Sequence, residues 1–171
     1  MDILNQDIFK TVGAVSDEMN APCFVIGGWV RDQLLKRDNS MDIDIVVVGD
    51  ALEVAKRSSS RLKAGKVSTF KKFGTAHFKF NKMDIEFVQA RSESYASDSR
   101  KPNVKPGTLE EDQYRRDFTI NSMAYGLNKI NWGELQDPFN GKDDLTKKII
   151  RTPLNLEKTF ADDPLRMLRA I

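Results

Sequence analysis

Asp42 and Asp44 stand one residue apart in the stretch Met41-Asp-Ile-Asp-Ile-Val-Val-Val-Gly49. In a β-strand side chains alternate between faces, so Ile43, Ile45 and Val47 line one side while both carboxylates project from the other. The rise per residue sets the two groups about 6–7 Å apart, close enough for their oxygens to converge on one divalent ion or on a pair. Aspartate is depleted in strands. Two on one face, running into an apolar segment, repel each other unless a cation or a guanidinium neutralises them. The chemistry this suits is phosphate handling; the plainer alternative is a strand whose polar face meets water.

Upstream, Gly27-Gly28 breaks an apolar run, and Val30-Arg31-Asp32 follows on the first helical turn. Glycines let backbone N–H groups approach a polyphosphate closely, and Arg31 offers a fork for its oxygens. The dinucleotide pattern G-x-G-x-x-G and the Walker pattern are both absent, so the familiar phosphate loops do not apply. Two-metal phosphoryl or nucleotidyl transfer also calls for a third acidic group, and Asp84 and Glu86 share a strand face on which either could serve or simply face solvent. In Arg115-Arg116-Asp117-Phe-Thr-Ile-Asn121 two guanidinia are expected at a helix N-terminus, with Asp117 as cap or ligand contact. Asp162-Asp163-Pro164-Leu165-Arg166 has a structural explanation: Asp163 as N-cap, Pro164 at the first helical position, and Asp162 with Arg166 as an i,i+4 pair.

The elements that must position these groups follow from periodicity. Leu4, Ile8, Val12, Val15 and Met19 mark an amphipathic helix ending near Asn20-Ala-Pro22. Cys23 to Ile26 is a short apolar strand, and Trp29 to Lys36 resumes helical spacing. After the Asp42/Asp44 strand, Asp50 caps a helix through Leu52, Val54, Ala55 and Leu62. From Val67 to Arg91 the pattern is strands, with a turn at Asn81-Lys82. Residues 92–114 lack periodicity and carry Pro102, Pro106 and Gly107, which predicts a long loop of a kind often tied to function. Ile120, Met123, Ala124 and Leu127 form one stripe of an expected helix capped by Asp117. Short strands and turns are expected over 132–151, and a final helical segment after Pro153 runs to Ile171 with no capping residue.

Length and composition fit one domain with the start of a second. With 171 residues, 40% hydrophobic and 30% charged, the chain can bury a proper core. No stretch approaches the ~18 apolar residues of a membrane span, and the N-terminus lacks the order of a signal peptide, so a cytoplasmic protein without a membrane partner is expected. The single cysteine, Cys23, excludes a disulfide framework, and the single histidine, His77, excludes multi-histidine zinc sites. Oxygen ligands remain, and they suit Mg²⁺. A net charge of +2 does not by itself argue for nucleic acid. The basic run Lys56, Arg57, Arg61, Lys63, Lys66, Lys71 and Lys72 is first of all a solvated face.

Four segments in order carry a resemblance: Gly27-Gly28-Trp-Val-Arg31-Asp32, Asp42-Ile-Asp44, Arg115-Arg116-Asp117-Phe-Thr-Ile-Asn121 and Asp163-Pro-Leu-Arg166-Met-Leu-Arg169. Supporting pieces are Phe73-Gly-Thr75, Ile85-Glu86-Phe-Val-Gln-Ala-Arg91 and Asp137-Pro-Phe-Asn-Gly-Lys-Asp-Asp-Leu145. From about residue 22 to its end the chain resembles the class II tRNA nucleotidyltransferase and poly(A) polymerase family of the polymerase-β-like superfamily. The resemblance implies an α/β head over 1–152 with a mixed five-stranded sheet flanked by helices, and the beginning of a helical neck over 153–171. It implies a two-metal Mg²⁺ site at Asp42 and Asp44, with Glu86 as the third catalytic carboxylate. Gly27, Gly28 and Arg31 would contact the triphosphate, and Arg116, Asp117 and Asn121 would sit about the ribose and phosphates. Asp163 and Arg166, with Arg169 one turn on, would choose the base of CTP or ATP.

The implied reaction is addition of CMP and AMP to the 3′ end of tRNA with release of pyrophosphate. Poly(A), A-only or CC-only addition, and a non-catalytic nucleotide or RNA-binding module, are the alternatives. Transfer to a small molecule or protein is disfavoured, because Asp163 to Arg169 looks built to choose a base. The resemblance reaches only the first part of the neck, so weak or no activity is expected of this stretch alone.

Overall fold

Alternation along Asp42–Val47 divides its side chains between two cores, and that division orders the rest of the chain. The computed structural model describes residues 4–37, 41–94 and 103–170. In chain order it contains α1 (Asp7–Glu18), β1 (Cys23–Ile26), α2 (Gly28–Leu34), β2 (Asp42–Val47), α3 (Ala51–Leu62), β3 (Ser68–Phe70), β4 (Thr75–Phe80), β5 (Met83–Gln89), β6 (Arg91–Ser94) and β7 (Asn103–Pro106). Then come α4 (Leu109–Tyr114), β8 (Ala124–Gly126), β9 (Leu135–Gln136), α5 (Gly141–Lys147) and α6 (Leu156–Asp162), with short 3-10 turns between them and a 3-10 helix over Pro164–Ala170. Among the described residues no helix is long and apolar enough to cross a membrane.

The main sheet runs β3-β4-β5-β2-β1-β8-β9, and β6 pairs with β7 separately. Among the described residues only β2 and β5 pair in parallel and the other pairs are antiparallel, so the sheet is mixed. It has seven strands where the resemblance implied five, the two-residue β9 and the three-residue β3 extending its two edges.

Ile43, Ile45 and Val47 of β2, with Ile85 and Phe87 of β5 and Phe78 of β4, face a main core closed by Ile8, Phe9, Val12 and Val15 of α1 and Val54 and Ala55 of α3. Phe9 meets Trp29 edge to face at 4.7 Å, which anchors α2 on α1. The other face carries a smaller core of Phe24, Ile26, Val46, Ala90 and Ala124, with Leu109 of α4 packed on it. Asp42 and Asp44 belong to this second face, on the stretch of β2 that leads into Val46.

The expected helix over 120–127 is instead a 3-10 turn, Thr119–Asn121, followed by strand β8. Met123, Ala124 and Leu127 are buried because β8 pairs with β1 and is covered on both sides, so their burial mimics a helical stripe. The long loop expected over 92–114 contains β6, β7 and α4, while its residues 95–102 lie outside the described part. A capping box starts α4: the Glu111 backbone N–H donates to the Thr108 hydroxyl and the Thr108 N–H to the Glu111 carboxylate. The short strands expected over 132–151 give way in part to α5.

Gly13 lies within α1, where Ala is intrinsically favoured by about 1 kcal/mol. A Cβ there would stand 2.1 Å from the Leu127 carbonyl oxygen, however, so the packing of α1 on the end of β8 requires its absence. Overpacking against backbone costs roughly 1–3 kcal/mol. Gly13→Ala is therefore expected to lower the urea unfolding midpoint, and a higher midpoint would show that helix propensity outweighs this clash.

Candidate active site

Register brings the acidic residues together. Asp44 pairs with Glu86 across the parallel β2–β5 ladder, Glu86 with His77 across β5–β4, and Asp42 with Asp84 one step along. Neighbouring strands lie about 4.8 Å apart, so Asp44 and Glu86 share one face at close range. Burial pushes the half-buried Asp44 carboxyl above its ordinary range, Arg116 opposes this, and the charge of Asp42 adds to it. Partial desolvation and the charge of Asp44 raise Glu86 as well. Asp84 behaves oppositely: hydrogen bonds from His77 at 2.7 Å and Lys79 at 3.3 Å hold it below its usual range. Of the two candidates for a third carboxylate, Glu86 lies beside Asp44 and Asp84 is committed to a surface pair.

Gly27 ends β1 with φ +85°, a conformation that favours glycine. A Cβ at this position would lie 3.2 Å from Arg116 Nη1 and 3.3 Å from Asp44 Oδ2, so the bare backbone leaves open the gap between a carboxylate and a guanidinium. Its N–H donates to the Met123 carbonyl, which ties the turn to β8. Gly28 opens α2, and Arg31 is oriented by donation to Asp32 Oδ1 at 2.9 Å and Asn121 Oδ1 at 2.8 Å.

Arg115 and Arg116 sit at the C-terminal end of α4, where cations are favoured, and not at the helix N-terminus expected from sequence. The buried Asp112 accepts from both, at 2.5 Å and 3.2 Å, and aims Arg116 at Asp44. Asp112 escaped sequence analysis, although the Thr108–Glu111 capping box could have revealed its helix. Asp117 caps no α-helix. Its Oδ1 accepts from the Phe118 N–H at 2.7 Å and from Asn121 at 3.1 Å, while Oδ2 meets Arg169 Nε at 2.6 Å.

That last ion pair draws the C-terminal 3-10 helix to the site. Asp163 precedes it and accepts from the Leu165 N–H at 3.0 Å, with Pro164 first in the helix, as the spacing suggested. The expected Asp162–Arg166 pair falls outside the described side chains. A cavity of about 280 Å³ is lined by Asp44, Arg115, Arg116, Asp117, Asp163, Arg166 and Arg169. The structure thus gathers residues from three of the four sequence segments around one opening, with Gly27 and Arg31 of the fourth beside it. Cys23 is buried and its thiol is pushed up to about 12, which excludes it as a nucleophile.

The donor set fits hard divalent cations. Asp42 and Asp44 offer only oxygens, and the raised Asp44 carboxyl is a group that a nearby positive charge would relieve. Among the described residues no cluster of three His, Cys, Asp or Glu side chains is placed to hold a metal.

The family model described as the poly(A) polymerase head domain matches residues 23–151. The A-adding tRNA nucleotidyltransferase of Aquifex aeolicus is 44% identical over 150 residues, covering 86% of this chain and 18% of that protein. The mitochondrial CCA tRNA nucleotidyltransferase of Saccharomyces cerevisiae is 38% identical over 165 residues, covering 86% of this chain and 30% of that protein. Among solved structures, a tRNA nucleotidyltransferase complexed with a primer tRNA and an incoming ATP analogue superposes with a TM-score of 0.79 at 42% identity, over 93% of this chain and 43% of that one. The chain therefore spans less than half the length of each of these proteins.

A raised carboxyl binds its proton more tightly in the folded than in the unfolded state. Its ionisation therefore destabilises the fold, not at all below the ordinary aspartate range and fully above the raised value. In metal-free protein Asp44→Asn is expected to raise Tm at pH 7, with the gain vanishing near about pH 3. A Tm difference independent of pH would refute the assigned cause.

Proposed function

The chain belongs to the poly(A) polymerase head-domain family, and on that premise we propose that it is the catalytic head of a template-independent RNA nucleotidyltransferase. The reaction is addition of CMP and AMP from CTP and ATP to the 3′ end of tRNA. The terminal hydroxyl attacks the α-phosphate, the α–β phosphoanhydride bond breaks, and pyrophosphate leaves with its electron pair. One observation carries this reading: paired carboxylates on one strand face, Asp44 raised by its surroundings, beside a glycine turn and an arginine-lined cavity.

Each residue then has a task. Asp42 and Asp44 would hold two Mg²⁺ ions, which would lower the pKa of the RNA 3′-hydroxyl and offset charge building on the α-phosphate. Glu86, facing Asp44, is the third catalytic carboxylate. The Gly27-Gly28 turn admits the triphosphate, and Arg31, already braced by Asp32 and Asn121, offers its charge to the phosphate oxygens. Arg116 stands 16% exposed over the cavity, fixed by Asp112, so it meets the phosphates without reorganising. Asp117 and Asn121 hold the ribose side. Asp163 and Arg166 present an acceptor and a donor to the base edge, while Arg169 acts through its pair with Asp117. We assign the head to 1–152 and the beginning of the neck to 153–171.

In the protein that carries this head, Asp42→Ala or Asp44→Ala is expected to lower incorporation of labelled CTP and ATP into tRNA lacking its 3′ end by at least ~10²-fold, the scale of removing one electrostatic stabiliser of a transition state. Near-normal turnover would refute the metal assignment. The two relatives carry an A-adding and a CCA name, so product length with each nucleotide alone and with both together tests the specificity: CCA addition needs both, and product made with ATP alone on a CC-ended tRNA only would point to A-addition.

A further inference from the structure

A second cavity, of about 170 Å³, shares no lining residue with the first. Three separate stretches of chain build it. The turn Lys71–Phe73 is folded back by Gly74 at φ +62°, whose carbonyl accepts from the Gln89 N–H at 2.9 Å, and this sets Lys71 and Lys72 beside the end of β5. Arg91 opens β6 directly after β5, and Lys105 comes from β7, whose next residue, Pro106, pairs with Arg91. The Gly107 N–H donates to the Ala90 carbonyl at 2.9 Å and closes the floor.

Among the described residues, four cations and no carboxylate line this opening. Gathering like charges costs free energy that a bound anion recovers. The basic run noted in the sequence divides here: Lys56, Arg57 and Arg61 pair with Glu53 and Glu18 on the outside of the fold, whereas Lys71 and Lys72 turn to this cavity. Phe73, also in the lining, is 60% exposed, an aromatic face next to cations that suits a stacked base in a charged groove. The cavity lies at the end of β5, whose last residue, Gln89, is three residues or roughly 10 Å beyond Glu86 at ~3.3 Å per residue.

We propose that this cavity binds a phosphodiester of the single-stranded RNA end, with Phe73 as a stacking surface for a base. The choice of RNA as occupant rests on the transfer reading above. The cavity then holds the strand a short way back from its reacting hydroxyl, so that the 3′ end is delivered along β5 toward Glu86 and Asp44.

The test is fluorescence anisotropy of a labelled single-stranded RNA with the acceptor-end sequence of tRNA lacking CCA, titrated with this chain at several salt concentrations. Lys71→Ala/Lys105→Ala is expected to weaken binding about 10-fold or more at low salt and to reduce the slope of log K against log salt by about 0.7 for each phosphate no longer neutralised. Phe73→Ala is expected to weaken binding by roughly 5-fold or more with the slope unchanged, in line with removal of one base-stacking surface. Lys56→Ala/Arg57→Ala on α3 is expected to leave both unchanged. Equal affinity and slope for the Lys71/Lys105 variant, no RNA binding by the wild-type chain, or a defect confined to Mg-ATP binding would each overturn the proposal. Because binding is read without turnover, failure of the wild-type protein that carries this head to incorporate nucleotides, with these binding results unchanged, would count against the transfer reading alone.

Discussion

Like charges brought together on one face of a sheet are the constraint from which the architecture of this head follows. Asp42 and Asp44 share a face of β2, and parallel pairing with β5 adds Glu86 to the same face. Burial and mutual repulsion push Asp44 and Glu86 toward their protonated forms, so the surroundings must supply positive charge. Arg116 provides part of it from the chain itself.

Holding the cations requires buried acids of another kind. Asp112, fully buried, fixes Arg115 and Arg116; Asp117, nearly so, links Asn121 to Arg169. Asn121 in turn braces Arg31 beside the glycine turn. The polar network thus runs from α2 through the turn after α4 to the C-terminal 3-10 helix, and each arginine reaches the cavity already oriented. Removing a buried acid of this set would leave its arginines misaimed, a cost that falls on the site more than on the core.

Much of this was legible because strong local patterns coincide with the elements that matter. The alternation around Asp42 and Asp44, the glycine pair after an apolar strand and the Asp163-Pro164 helix start all appear in the structure where spacing put them. Misreadings cluster where local pattern and tertiary burial disagree. Ile120 to Leu127 imitates a helical stripe because β8 is buried on both faces, and α4 went unseen beside prolines and glycine although Thr108 and Glu111 signal its start. Arg115 and Arg116 were put at the wrong end of a helix for the same reason.

By itself the sequence determined which residues alternate, which cap, and in what order the motifs occur, since these depend on neighbours within a few positions and on local backbone preference. The order of motifs also carried the family resemblance. Only the tertiary structure decided that Glu86 rather than Asp84 lies against Asp44, that Asp112 aims Arg116, and that Lys71, Lys72, Arg91 and Lys105 share a second cavity. Strand register and the meeting of distant segments are products of packing the whole sheet, and no short-range pattern encodes them.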